Sequence, residues 1–257
     1  MNNRIVRFVL ALILLAGMAT GIYKLVEISR EYSRADEIQN EMLVYKPTPA
    51  VETSAAPPVP DQTPGIPPRR VNQEILDAQK QINSDIVGWL TIPNTNIDYL
   101  FVQASDDNFY LRRDLNKRQA SAGSIFMDSR NSSDFSDFNT ILYGHNMKNG
   151  SMFHNLRKFA DKDFFDGNRT GTIFLADRVF SLQIFAYLVT GADNAEIYQT
   201  VIITNPEKED FFDYIRDHAR QYRDIGLTAQ DRIVTLSTCA YEYDDARMVL
   251  LAQLVEI

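Results

Sequence analysis

The sequence predicts a mainly β protein, an eight-stranded barrel with peripheral helices, preceded by one N-terminal transmembrane helix. Three observations carry that expectation. Eight short apolar runs of strand length lie between residues 86 and 255, separated by turn residues. Few stretches between them keep a helical period, and many short strands with few helices favour a closed or nearly closed barrel. Ahead of all this, Arg4 and Arg7 precede Phe8 to Tyr23, sixteen positions without a charge.

With Lys24 snorkelling and Leu25 and Val26 beyond it, the N-terminal apolar length approaches the roughly 20 residues that cross a bilayer. We read residues 1–28 as an uncleaved anchor. The competing reading is a cleaved signal peptide with Gly17-Met18-Ala19 as its small-residue site, but the apolar run continues past that site. Positive charge at the extreme N-terminus predicts a single pass with the bulk of the chain outside the cell membrane. Residues 29–70 read as a polar and Pro-rich extracellular linker. Ser29 to Met42 could continue as helix, and eight of the ten prolines fall between Pro47 and Pro68, a composition that cannot bury a core. Such a segment is a semi-extended spacer.

The folded domain is expected over residues 71–257. Val71 to Asn83 suggests an amphipathic helix, with Ile75, Leu76, Gln79 and Ile82 toward the barrel exterior. The strands are expected at Ile86 to Ile92, Ile97 to Gln103, Ser124 to Met127, Asn139 to Tyr143, Thr172 to Ala176, Val179 to Thr190, Ile233 to Thr238 and Arg247 to Val255. Pro93-Asn-Thr-Asn96 turns the first pair and Ala176-Asp-Arg178 a later one. Phe180, Leu182, Ile184, Ala186 and Leu188 alternate with Ser181, Gln183 and Tyr187, as in a strand with one buried face. Ser151 to Arg157 reads as a short helix capped by Ser151. Asn205-Pro-Glu207 opens the one long helix of the second half, its helix-like run reaching Tyr222, with proline in the first turn.

A net charge of −8 and a pI near 4.9 argue against nucleic-acid binding, which calls for a basic face. The single cysteine, Cys239, excludes an internal disulfide. A lone cysteine is most often a small buried hydrophobe. Cys239, however, ends a strand, is followed by Glu242, Asp244 and Asp245, and meets Arg247 returning at the head of the next strand. An electropositive, partly exposed setting of that kind makes a thiol reactive.

A cysteine nucleophile needs a proton acceptor, and there are three histidines. His145 stands where the apolar strand Asn139–Tyr143 runs into Gly144, at a sheet rim. His154 reads as a solvated residue of the short helix, and His218 as a helix-face residue among Phe211, Phe212, Ile215, Ala219 and Tyr222. His145 is therefore the candidate base.

Thr-Leu-Ser-Thr-Cys at 235–239, Tyr-Gly-His-Asn-Met at 143–147 and an arginine opening the last strand resemble the three signatures of the sortases, the cysteine transpeptidases of Gram-positive cell surfaces. Three elements in this order, with a membrane anchor upstream, are far more specific than any one of them. Gly-Ser-Ile-Phe-Met-Asp at 123–128, and a long helical insertion between a strand near Ile202 and the cysteine strand, resemble class B. The likeness covers about residues 71–257.

It implies a catalytic set of Cys239, His145 and Arg247, with Ser237, Thr238, Tyr143 and Asn146 as candidate substrate contacts, and no metal or cofactor. The implied partners are secreted proteins with a C-terminal sorting pentapeptide, cut after its threonine, and a peptidoglycan amine as acceptor. No aspartate-proline-aromatic lid motif precedes the core, which disfavours a pilin-polymerising class. Two other classes of function stay open on sequence alone. One is a hydrolytic cysteine endopeptidase using the same Cys239 and His145; the other is a non-catalytic surface scaffold with a buried cysteine.

Overall fold

The computed structural model describes residues 3–47, 71–239 and 245–257. Its strands are β1 (Ile86–Thr91), β2 (Asp98–Gln103), β3 (Ile125–Met127), β4 (Asn139–Tyr143), β5 (Thr170–Leu175), β6 (Val179–Gly191), β7 (Gln221–Tyr222), β8 (Ile233–Cys239) and β9 (Ala246–Glu256). Hydrogen-bonded neighbours run β5-β1-β2-β3-β4-β8-β9-β6, and β5 pairs with β6 to close the ring. Those are the eight expected strands, and the barrel is closed. β7 adds two residues to the outer edge of β6. The parallel pairings, β2 with β3 and β4 with β8, bring the C-terminal ends of β4 and β8 to the same rim.

The barrel is filled from the inside. Phe101, Ile125, Leu142, Phe180, Leu236 and Leu250 are buried in one interior cluster. A second cluster lies outside β1 and β2. Helix α2 (Gln73–Gln81) covers it, inserting Ile75 and Ala78 against Trp89, Leu100 and Val102. A third lies outside β6, β8 and β9 beneath α4 (Asn205–His218), through Phe211, Phe212 and Ile215. The remaining α-helices among the described residues are α1 (Asn3–Met42) and α3 (Lys162–Gly167).

Helix α4 starts as its sequence dictates. The Thr204 side chain accepts from the Glu207 amide, the Glu207 carboxylate accepts from the Thr204 amide, and Pro206 occupies the first turn. It ends at His218, earlier than the apolar spacing suggested. Ala219 is already extended, and the following residues are drawn off to pair with Tyr187 and Ala186 as β7.

Two further expectations are corrected. The segment Phe153–Ala160 is a 3-10 helix whose N-cap is Met152, at φ 56°, with no side-chain cap. Ser151 instead donates to Asn149 Oδ1 at 2.7 Å. Residues 201–203, expected near a strand, pair with none.

In β6 the alternation breaks at Phe185, an extra residue between Ile184, opposite Ala252, and Ala186, opposite Leu251. A bulge moves every later side chain to the other face. Tyr187 therefore points into the barrel while Phe185, Ala186 and Leu188 face α4. The expectation that Tyr187 sits on the exposed face is thus overturned.

Helix α1 is unbroken from Asn3 to Met42, and Arg7–Glu27 has a mean hydropathy of 2.1 with none of it buried. Its far end lies on the barrel. Met42 is buried and Ile38 packs in the cluster with Ile75 and Trp89. Gln39 donates to the Asp98 carbonyl, and Lys46 pairs with the Asp98 carboxylate at 2.6 Å.

Candidate active site

Strand β8 lies between β4 and β9, and one rim of the barrel is built from their ends. In the antiparallel pair β8–β9, Cys239 lies directly opposite Arg247. In the parallel pair β4–β8, Tyr143 is level with Ser237, and the Gly144 amide donates to the Ser237 carbonyl at 3.1 Å. Cys239 comes two residues further along β8, and His145 follows two residues past the end of β4. The register thus collects His145, Cys239 and Arg247, which are far apart in the chain, at one rim.

Gly144 makes the turn into His145 possible. A Cβ there would meet Ile125 Cδ1 at 2.5 Å and the Phe153 ring at 2.9 Å, so only glycine fits between β3 and the following 3-10 helix. Past it, the His145 carbonyl accepts from the Phe153 amide at 3.0 Å. The half-buried imidazole is fixed from the other side, with Nε2 at 2.7 Å from the Leu111 carbonyl oxygen. A carbonyl oxygen only accepts, so Nε2 carries the hydrogen. In the neutral ring the lone pair is then on Nδ1, the nitrogen left for proton transfer.

His154 is not the solvated residue the sequence suggests. Its Nδ1 donates to Asn146 Oδ1 at 2.7 Å, and its Nε2 accepts from Arg157 at 3.3 Å. Burial, with the nearby Arg157 and Lys158 charges, holds its pKa below the ordinary histidine value. It is a neutral structural imidazole. His218 is an exposed helix-face residue, as expected, stacked on Tyr214 at 4.0 Å.

The four expected substrate contacts are held inside the protein in different ways. Tyr143 donates its hydroxyl to Asp128 Oδ2 at 3.0 Å. Burial and then the Asp128 charge push its pKa far upward, so it stays a donor. Asp128 is fully buried; burial would raise its pKa, but the Arg130 fork at 2.9 and 2.7 Å and the Tyr143 hydroxyl bring it below the carboxylate norm. Asn146 is engaged by His154. Ser237 is buried and exchanges a hydrogen bond with the Tyr198 hydroxyl at 2.9 Å. Thr238 has the parity of Val234 and Leu236, which fill the barrel, and its buried Oγ1 has no partner among the described residues.

Arg247 donates to the Ala246 carbonyl at 3.1 Å. Glu242 and Asp244, expected in the acidic loop beside it, lie outside the described residues. Asp245 is exposed at φ 61°, and its carbonyl accepts from the Ala192 amide at 3.0 Å.

Sequence reasoning missed the parts that brace the rim. Thr235 donates to Asn139 Oδ1 at 2.7 Å, and Asn139 Nδ2 reaches the carbonyls of Ile197 and Gln199. That brace ties the β6–α4 connection to the outer face of β4 and β8, and so brings Tyr198 to Ser237. An asparagine opening an apolar strand was the available signal. The Leu111 carbonyl left no signal, because any residue supplies one.

Comparison with known proteins shows the family. A family model described as the Sortase domain matches residues 90–255. The chain is 42% identical over 190 residues to a sortase B of Listeria monocytogenes, covering 72% of this chain and 75% of that one. It is 32% identical over 185 residues to a sortase B of Staphylococcus aureus, covering 71% and 75%. The crystal structure of sortase B from B. anthracis superposes with a TM-score of 0.73 at 34% identity, covering 89% of this chain and 99% of that one.

Proposed function

Since this chain belongs to the sortase family, as a class B cysteine transpeptidase, we propose that Cys239, His145 and Arg247 are its catalytic set. On this reading it cleaves a C-terminal sorting signal of secreted proteins after threonine and transfers the acyl group to a peptidoglycan amine. The observation that carries the reading is the register, with Cys239 opposite Arg247, and with Tyr143 level with Ser237 so that His145 follows β4 at the rim where β8 ends.

An amide is a poor electrophile, so the thiol must lose its proton and the developing oxyanion must be held. The Cys239 thiol passes its proton to His145 Nδ1 as its sulfur adds to the threonine carbonyl carbon. Arg247 donates fixed hydrogen bonds to the oxygen that becomes negative, and cannot lose its proton in doing so. His145, through Nδ1, gives a proton to the departing amine as the C–N bond breaks, leaving a thioester. The acceptor amine attacks that thioester, His145 takes its proton, and the Cys239 sulfur leaves as a new amide forms. Tyr143, Asn146, Ser237 and Thr238 serve this site as supports of its walls.

The apolar helix Arg7–Glu27 anchors the chain, with Arg4 and Arg7 on the cytoplasmic side and the barrel at the cell surface. Incubating the protein with a sorting-signal peptide, with and without an amine acceptor, tests the reading. Amide product should form only when the amine is present. Hydrolysis alone at every amine concentration would make the protein an endopeptidase, and a Cys239 silent toward a thiol probe would make it a scaffold.

A further inference from the structure

The membrane helix and the catalytic rim are related by the fold. Asp98 begins β2, which is parallel to β3; β3 is antiparallel to β4, whose C-terminal end leads to His145. The start of β2 therefore belongs to the same barrel end as the catalytic rim. Helix α1 runs toward that end as it descends. Met42 and Ile38 pack in the cluster with Ile75 and Trp89, Gln39 donates to the Asp98 carbonyl, and Arg34, one turn lower, walls a cavity with Leu115, Ala122, Ser151 and Met152. Ser151 and Met152 belong to the loop that follows His145.

Below Arg34 the same unbroken helix becomes the apolar segment that ends at Glu27. Seven residues separate Arg34 from Glu27, which is about 10 Å of helix. That is close to one Debye length at physiological ionic strength. A second observation points the same way. Residues 145–160 contain no acidic residue but carry Lys148, Arg157 and Lys158, all exposed, in a chain of net charge −8.

We propose that α1 is a docked strut which holds the barrel with its catalytic rim toward the bilayer, where the basic loop of residues 145–160 faces anionic lipid headgroups. The Pro-rich stretch then does not set the height of the domain, because the chain has already met the barrel at Ile38 and Met42 before reaching it. The proposal rests on reading Arg7–Glu27 as a membrane span. Its consequence is that the scissile bond is met close to the membrane surface.

Energy transfer on the full-length protein in vesicles tests it. In a Cys239→Ser background, one fluorophore is placed at Lys148→Cys, in the loop after β4, and in a second protein at Ser133→Cys, in the connection before β4 at the opposite end of the barrel. Vesicles of phosphatidylcholine and phosphatidylglycerol carry a headgroup-attached acceptor. Transfer from position 148 should exceed transfer from position 133 several-fold, and Ile38→Glu with Met42→Glu should abolish the difference. Replacing phosphatidylglycerol by phosphatidylcholine should lower transfer from position 148; no change there would overturn the headgroup contact. Equal or reversed transfer in protein that floats with the vesicles overturns the orientation alone. Protein that fails to float overturns the anchor, and the proposal with it.

Discussion

Of the two histidines in the loop after β4, His145 and His154, only His145 has a ring nitrogen left for catalysis, and His218 is an exposed residue of α4. The His145 Nε2 is committed to the Leu111 carbonyl, whereas both nitrogens of His154 are occupied by Asn146 and Arg157. His145→Ala should abolish transpeptidation, while His154→Ala and His218→Ala should keep most activity per folded molecule in the peptide assay. His154 should show itself in stability instead. Because its folded pKa lies below the unfolded value of about 6.5, the unfolded chain binds the extra proton, so stability is full above that value and falls as pH drops below it. The thermal midpoint should therefore decline between pH 7.5 and 5.5, and His154→Asn should flatten that slope. Arg247→Lys keeps the charge but loses the rigid donor fork. If Arg247 holds the oxyanion, single-turnover acylation should fall by about 100- to 1000-fold, as when one oxyanion donor is deleted. The loss should appear in kcat, and near-normal acylation would remove Arg247 from the catalytic set. The residues of the proposed site could be picked out in the sequence because they are rare side chains, one cysteine and one histidine just past a strand end. The backbone partner that selects the tautomer was not.

At the scale of elements, the strands were legible because a strand buried on one face alternates, or reads as an apolar run, over a few residues. All eight ring strands lie where those runs predict, to within a residue or two at their ends. What local pattern could not show were features decided across strands. The Phe185 bulge reverses the faces of β6 through its pairing with β9, and two-residue β7 exists only because β6 offers it an edge. Closure of the ring by β5 and β6 is of the same kind. The turn from β4 into the His145 loop is where an element most directly serves the chemistry. Gly144→Ala would drive a methyl to 2.5 Å from Ile125 Cδ1 and 2.9 Å from the Phe153 ring. Overpacking of that kind costs about 1–3 kcal/mol. Since His145 is the next residue, the displaced turn should also lower kcat in the folded fraction. A variant with unchanged melting and unchanged kcat would show that the glycine is dispensable.

At the scale of the whole molecule, α1 joins what composition separates into an anchor and a linker. The sequence after the apolar run is polar, and nothing in its local pattern announces a docking surface, because its apolar contacts with the barrel, among the described residues, come from the scattered Ile38, Met42 and Tyr45. Their counterpart is the exposed side of β1 and β2, where Trp89 is buried and donates its indole hydrogen to Asp98 at 2.7 Å. The same Asp98 receives Lys46, a half-exposed ion pair that contributes little by itself. Burial of Met42 is the larger effect, of about 1.5–3 kcal/mol for one such side chain. A chain beginning at residue 28 should therefore be more stable than one beginning at residue 71, though neither contains the membrane span. Taking about 2 kcal/mol as the difference, a domain of this size should melt lower by roughly 4–8 °C when the strut is absent. Met42→Ala in the longer chain should reproduce most of that drop, whereas Lys46→Ala should reproduce little of it. Coincident melting of the two chains would mean that α1 rests on the barrel without stabilising it, and a large effect of Lys46→Ala would mean that the ion pair, not the apolar contact, holds the strut in place.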